Sequence, residues 1–272
     1  MNETKLEKRR DRIYRRTKTQ RVKTMNDAAQ FIDNVGFCLL FASAQNLELP
    51  SLFEAVKGRR DVHIEDWDAD SERVWVWKND LPATRRAYYG KALGGGKPVF
   101  VALKYLPAVY ALAAPENLAR AYARGEINRD AKRLYDALAA RGPTPTMALR
   151  AAAGFENGDA RARFQRALDE LQRQLLVAPI GAVIERGAWA SQIFELTARW
   201  FPREIARAQK LNLDDARRAL AQRYLATVVA CAPPMLGRVF GWSRASARAT
   251  MDTLIARGVV EKKSNWLIVR AV

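Results

Sequence analysis

Arginine and lysine residues stand at helical spacing near the carboxyl end of the chain. Arg244 and Arg248 are four residues apart in a segment that Ser243 is placed to cap, so a helix would bring both guanidinium groups to one face. Lys262 and Lys263 follow between two short apolar runs. Arginine offers a planar fork of donors for phosphate oxygens or guanine edges, and lysine offers a point charge for phosphate. This pattern predicts contacts with nucleic acid.

Two further groups of cations precede this one. The middle group consists of Arg161, Arg163 and Arg166, and it lies at the start of a predicted long helix. The helix dipole also favours a phosphate at this end. The first group is Lys78, Arg85, Arg86 and Lys91, interleaved with Trp75, Trp77, Tyr88 and Tyr89. Cations mixed with aromatic rings suit backbone neutralisation together with stacking of an unpaired base. The alternative assigns the rings to the core and the cations to solvated surface; it is favoured for Trp75 and stays open for Lys78 and Arg85.

Several other chemistries have little support in the sequence. His63 is the only histidine and has no nucleophile nearby, which disfavours triad chemistry and multi-histidine metal sites. The run Gly94–Pro98 fails as a phosphate-binding P-loop because its spacing is wrong and Pro98 follows the lysine. Cys38 and Cys231 are interpreted as reduced core thiols. We therefore expect neither a metal nor a cofactor.

Hydrophobic periodicity predicts the elements that hold these groups. The middle part predicts helices over 128–140 and 146–153, a long helix capped at 158–159 that runs to about 176, and β-like runs over 177–185 and 189–196, with a turn at 186–187. The same succession begins again at Asp214, with helices to 229, over 234–240 and over 243–258, and a hairpin of 259–261 and 266–269. This order is typical of a winged helix-turn-helix, whose third helix can enter a DNA major groove. The predicted fold class is mainly α with small β-wings, in tandem winged helix-turn-helix units.

The first part of the chain is harder to interpret. A helix is predicted to open at Met25, and the run 74–77 resembles a strand because β-branched and aromatic residues alternate there. Asp80 is predicted to open a further helix that continues through Tyr89. Glu48, Glu54 and Asp33 flank an apolar stretch and are the carboxylates available for catalysis, although acids near helix starts are more often caps.

The charge of the chain is unusual for its length. In 272 residues, 46 Lys and Arg against 29 Asp and Glu give a net charge of +17, which suggests nucleic acid or a membrane surface as the partner. Ten of the cations and three of the acids lie in residues 1–24. That block predicts a flexible basic arm, mobile or conditionally helical, that follows a phosphate backbone, with a solubilising tail as the alternative. Neither a signal peptide nor a membrane-spanning run is predicted, so we expect a cytoplasmic protein with no membrane partner.

Several short motifs resemble those of the AlkZ/YcaQ-related winged-helix proteins. The resemblance extends from about residue 26 to the carboxyl terminus. It rests on the segments 36–41, 48–52 and 77–82, on Arg85, Tyr88, Tyr89, Gly90 and Lys91, and on the run 199–202. The characterised branch of that family consists of bacterial DNA glycosylases that excise alkylated bases. The resemblance implies a role in DNA repair and a third winged-helix-like unit on the amino-terminal side. The predicted division is a basic arm over 1–24 and winged-helix units over 25–125, 126–202 and 203–272.

One departure from the family pattern concerns catalysis. The characterised glycosylases have a Gln-x-Gln or Gln-x-Asp motif that orients the hydrolytic water, and the corresponding stretch here is Leu39-Leu40-Phe41. Gln172-Arg173-Gln174 has the right letters but lies in the middle unit, so the role is not transferred to it. Apolar side chains can neither place water nor stabilise an oxocarbenium-like charge. Glu48 is the first candidate for a substitute.

Three hypotheses on the function of the protein follow, in order of preference. The leading one is a nucleoid-associated protein that binds double-stranded DNA, alkylated or distorted, in DNA repair, with or without glycosylase activity. A non-catalytic transcriptional regulator or architectural DNA-binding protein is the second. An RNA-binding protein that uses the basic arm is the third.

Overall fold

The computed structural model describes residues 3–42, 48–60, 67–156, 160–184, 190–264 and 266–269. Three units within these ranges repeat one order of elements: helix, strand, helix, helix, strand, strand. Each unit forms a three-stranded antiparallel sheet in which the last strand lies between the other two. The chain is mainly α-helical with small sheets, as the sequence predicts.

The first unit follows an amino-terminal helix. In chain order these elements are α1 (Glu3–Ile13), α2 (Met25–Val35), β1 (Phe37–Leu39), α3 (Leu52–Lys57), α4 (Ala69–Ala83), β2 (Tyr88–Gly90) and β3 (Val99–Val101). A capping box fixes the start of α2, because the Thr24 hydroxyl accepts from the Asp27 N–H while the Asp27 carboxylate accepts from the Thr24 N–H.

The middle unit follows two connecting helices, α5 (Leu106–Ala113) and α6 (Leu118–Ala123). Its elements are α7 (Arg129–Arg141), β4 (Thr144–Pro145), α8 (Thr146–Ala152), α9 (Ala160–Arg173), β5 (Val177–Val183) and β6 (Ser191–Leu196). Asn128 caps α7, close to the predicted start of that helix. The predicted cap at 158–159 and turn at 186–187 lie outside the described residues.

The C-terminal unit comes after two short helices, α10 (Thr197–Trp200) and α11 (Pro202–Ala208). Its elements are α12 (Leu213–Val228), β7 (Ala230–Cys231), α13 (Met235–Phe240), α14 (Arg244–Ala256), β8 (Val260–Lys263) and β9 (Trp266–Val269). Gly241 ends α13 in the left-handed conformation, and the Ser243 hydroxyl caps α14 by accepting from the Ser246 N–H. The helices and hairpin predicted here are confirmed.

The sheet of the first unit is buried on both faces. Phe37 and Leu39 of β1 face a cluster that includes residues of the C-terminal unit, such as Leu220. Cys38 and Leu40 face the first unit's own core. Because neighbouring residues of an extended chain point to opposite faces, this sandwich explains the continuous apolar run from Phe37 to Phe41.

Two predictions about the first unit were wrong. The run 74–77 belongs to helix α4, which Asp68 caps and which buries Val74 and Trp77 in the core. Helical packing of these side chains overrides the β-propensity of the alternating valines and tryptophans. The helix predicted from Asp80 through Tyr89 ends at Ala83, and after a turn in which Arg85 adopts a positive φ of 54° the chain forms β2.

The first part of the predicted flexible arm is a docked helix. Leu6 of α1 packs against Val229 and Ala230, next to the end of α12. Arg10 donates from Nε to the Val228 carbonyl at 2.9 Å and from Nη2 to the Ala230 carbonyl at 2.8 Å. Side-chain contacts and these long-range hydrogen bonds order the segment despite its charge. Within the described residues, no helix is long and apolar enough to cross a membrane.

Candidate nucleic-acid interface

The C-terminal unit exposes all four of its predicted cations. Arg244 and Arg248 lie on the solvent side of α14, and Lys262 and Lys263 lie on β8. The Arg248 side chain is 81% exposed and forms a long ion pair of 3.8 Å with Asp252, which is also exposed. Because α14 packs against β8, one unit presents cations from both its third helix and its hairpin. An exposed cation can bind phosphate at little cost when the ion pair that it must break is itself exposed to solvent.

The middle unit exposes its cations along α9. Arg163 is committed to the protein, since it binds Asp130 through two hydrogen bonds of 2.9 and 2.7 Å. Arg161 and Arg166 are exposed and have no acidic partner in the described part of the chain. These two arginines are therefore the better candidates for contacts with an external anion.

The first group of cations is engaged within the protein. Lys78 is only 8% exposed, its Nζ lies 3.5 Å from the centre of the Trp75 ring, and burial lowers the pKa of its ammonium to about 8. Arg85 stacks on the ring of Trp200 at 4.4 Å. The structure therefore does not gather this group into one open site.

The other two members of that group also have partners. Arg86 donates to the Asn26 side chain at 2.7 Å, and Lys91 forms an ion pair with Asp169 at 2.6 Å. Trp75 itself is partly exposed, so the assignment of its ring to the core is wrong, whereas Trp77 and Tyr88 are buried.

A fourth basic site was not resolved by sequence reasoning. Four cations line a surface depression of about 420 Å³ between α1 and α2, namely Arg12, Arg15, Arg21 and Lys23. The one acid of this depression, Asp27, accepts from the backbone N–H groups of Lys23 and Thr24, which lower the pKa of its carboxyl. The basic block in residues 1–24 was visible in the sequence, but the turn that gathers these side chains was not.

The stretch 39–41, which the resemblance matches to the family's glutamine motif, consists of packed apolar residues. Leu39 and Leu40 are each 5% exposed and belong to two different clusters, and Phe41 packs edge-on against Phe53 at 5.3 Å. Both leucine side chains are apolar and can hold no water by hydrogen bonding. The stretch 39–41 therefore has a structural role here.

Glu48, the candidate catalytic carboxylate, is paired with Arg10 of α1. Its Oε2 accepts from Arg10 Nη2 at 2.8 Å, and its backbone carbonyl accepts from the Tyr14 hydroxyl. Burial raises the pKa of the Glu48 carboxyl, and Arg10 offsets part of that rise. In this arrangement Arg10 joins Glu48 to the carbonyls of Val228 and Ala230 in the C-terminal unit. The guanidinium group also offsets part of the cost of burying the carboxylate.

The remaining chemically active residues are few. His63 lies outside the described residues. Cys38 and Cys231 are buried free thiols, and burial raises the pKa of both, to about 12 for Cys231, so neither is a reactive thiolate near neutral pH.

Comparison with known families decides the relationship of the chain. The model of the family described as AlkZ related matches residues 22–241, which spans the first and middle units and the C-terminal unit through α13. The chain belongs to the AlkZ-related family. No curated protein and no solved structure matches it. Membership associates this AlkZ-related protein with DNA-repair proteins of the glycosylase type.

Proposed function

We propose that this AlkZ-related protein binds double-stranded DNA in a repair context through tandem winged-helix units. The observation that carries the proposal is the exposure of Arg244 and Arg248 on α14 together with Lys262 and Lys263 on β8. In a winged helix the third helix enters the major groove while the wing contacts the backbone. Arg161 and Arg166 offer the equivalent third helix of the middle unit.

The repeated topology supports the winged-helix assignment. The order helix, strand, helix, helix, strand, strand occurs three times, each time with the same strand order. The proposed units extend over 25–125, 126–202 and 203–272, and residues 1–24 form a basic amino-terminal segment. Since the proposed partner is DNA, the proposed location is the cytoplasm, in association with the nucleoid.

Recognition of alkylated or distorted DNA with little excision fits the site best. Leu39 and Leu40 are packed in two cores, and Glu48 is held by Arg10. Hydrolysis of an N-glycosidic bond needs a group that places water or stabilises a developing positive charge. These observations favour, as a second candidate function, a regulator or architectural protein that binds DNA without cutting it. If excision is found, Glu48→Gln is the first variant to assay.

Paired substitutions test the DNA interface. Arg244→Ala combined with Arg248→Ala should weaken binding of a labelled 25-base-pair duplex, measured by fluorescence anisotropy, by about tenfold or more, because arginine contacts to DNA are each worth about 1–3 kcal/mol. The matched control is Arg124→Ala combined with Lys132→Ala, which removes the same charge from residues paired with Glu126 and Asp136. Equal affinities for the two double variants would contradict the assignment of α14.

A further inference from the structure

A cavity lies where the three units meet. It has a volume of about 250 Å³, and its apolar wall includes Val109 and Leu112 of α5 and Leu220 of α12. Phe240, the last residue of α13, and Trp242, in the turn before α14, complete that wall. The volume is below the roughly 300–1,000 Å³ of sites for drug-sized ligands, so it suits one planar ring system rather than an extended cofactor.

Residues 91–94 of the first unit, which end at the first glycine of the run, form one side of this cavity. The Gly94 N–H donates to the Val239 carbonyl at 2.8 Å, and a Cβ at Gly94 would lie 2.4 Å from the backbone nitrogen of Gly241. Only glycine permits this approach of two backbones. The run that fails as a P-loop therefore brings the loop after β2 against the turn that precedes α14.

The charges around the cavity leave one cation without a partner. Lys91 is paired with Asp169 of α9 at 2.6 Å. Arg173 lies one turn further along α9, also lines the cavity, is exposed, and has no acidic partner among the described residues. Because Lys91 occupies the nearest carboxylate, Arg173 remains available for an anion at the cavity entrance.

The aromatic wall offers a surface for stacking. The rings of Phe240 and Trp242 are stacked, with centroids 4.5 Å apart and an angle of 18° between their planes. Phe240 is held in turn by edge contacts with Phe37 and Tyr224. The indole N–H of Trp242 donates to no acceptor within the described residues, so a hydrogen-bond donor accompanies the ring.

We propose that this cavity receives one nucleotide turned out of the DNA, with its base against Trp242 and its phosphate at Arg173. A planar base, an adjacent phosphate and a small half-enclosed cavity match in size and charge, and extrahelical bases are commonly held by aromatic stacking. The inference rests on the proposed DNA binding and deepens it, because it names the structural feature of DNA that the protein selects.

Two duplexes that differ only by a single bulged 2-aminopurine test the proposal. The intact protein should bind the bulged duplex about tenfold more tightly than the fully paired one, the scale of one base-stacking contact, and binding should quench 2-aminopurine fluorescence. Arg173→Gln should weaken binding of the bulged duplex and so lower this preference, and it should leave affinity for the paired duplex unchanged. The control Arg166→Gln, on the same helix, should weaken both duplexes equally.

A second variant, whose folding is checked separately, tests the same cavity through its aromatic wall. Trp242→Leu, with its fold checked by circular dichroism, should abolish the quenching while paired duplex is still bound. Binding of paired duplex without any preference for the bulge, or equal effects of Arg173→Gln on both duplexes, would overturn the cavity assignment alone. Failure to bind either duplex would overturn the proposed function, and the cavity assignment with it.

Discussion

Leu39 and Leu40 show how single side chains determine what chemistry the first unit can perform. They point to opposite faces of one extended segment, and both faces are covered by packed residues. A glutamine at either position would have to bury its amide group. Leu39 is thus part of the packing between the first and C-terminal units, and Leu40 is part of the first unit's own core.

Restoring one glutamine tests this account at the residue scale. Leu39→Gln should lower the free energy of unfolding by about 3 kcal/mol, because it loses apolar burial and buries an unsatisfied amide. We expect the wild-type protein to excise N-alkylated purines only weakly. The variant should not excise them faster. Urea unfolding and alkaline cleavage of alkylated duplex measure the two effects. The control Leu213→Gln, at an exposed position, should leave the free energy of unfolding unchanged. Strong excision by Leu39→Gln would contradict a purely structural role for Leu39.

Helix α1 is the element that the sequence described least well. Its charge predicts an arm that is mobile or conditionally helical, but not the docking by which Arg10 joins it to the carbonyls of Val228 and Ala230 and to Glu48. These partners are 38 to 220 residues away along the chain, so no local pattern could reveal them.

Substitution of Arg10 tests the docking of α1. Arg10→Met should lower the free energy of unfolding by about 2–3 kcal/mol at pH 7, because it strands a partly buried carboxylate and two carbonyls. The pKa of Glu48 is already raised by burial and should rise further without Arg10. Protonation of Glu48 then removes its unpaired charge in the folded state. The loss of unfolding free energy relative to the wild type should therefore become smaller as the pH falls from 7 to about 5. Urea unfolding of the wild type and the variant at both pH values measures this difference in unfolding free energy. An arm that does not dock would give no deficit at either pH.

The other elements show which signals in a sequence are sufficient. The helices of the C-terminal unit were predicted because Ser243 and Gly241 mark their ends locally. Helix α4 was missed because Val74 and Trp77 have strong β-propensity, and their burial depends on residues distant in sequence. The same limitation applies to the site: the exposed arginines of α9 and α14 follow from periodicity, whereas the burial of Lys78 depends on tertiary packing.

At the scale of the whole molecule, the units share one hydrophobic cluster. It includes Phe37 and Val101 of the first unit, Leu175 and Ala178 of the middle unit and Leu220 and Tyr224 of the C-terminal unit. Packing of this kind fixes the units relative to one another, so that the exposed cations of α9 and α14 form a set with fixed relative positions. The net charge of +17 gives this set a long-range attraction for polyanions.

The salt dependence of duplex binding tests the central claim most directly. If Arg161, Arg166, Arg244, Arg248, Lys262 and Lys263 each neutralise one phosphate, the log of the association constant should fall with the log of the salt concentration at a slope of about −5. Fluorescence anisotropy of an undamaged duplex between 50 and 300 mM KCl, at constant pH, gives this slope. A slope near −5 that becomes shallower by about 2 in the Arg244→Ala, Arg248→Ala double variant is the predicted result. A slope near zero, or no measurable binding at 50 mM KCl, would contradict the claim that this protein binds DNA through these cations.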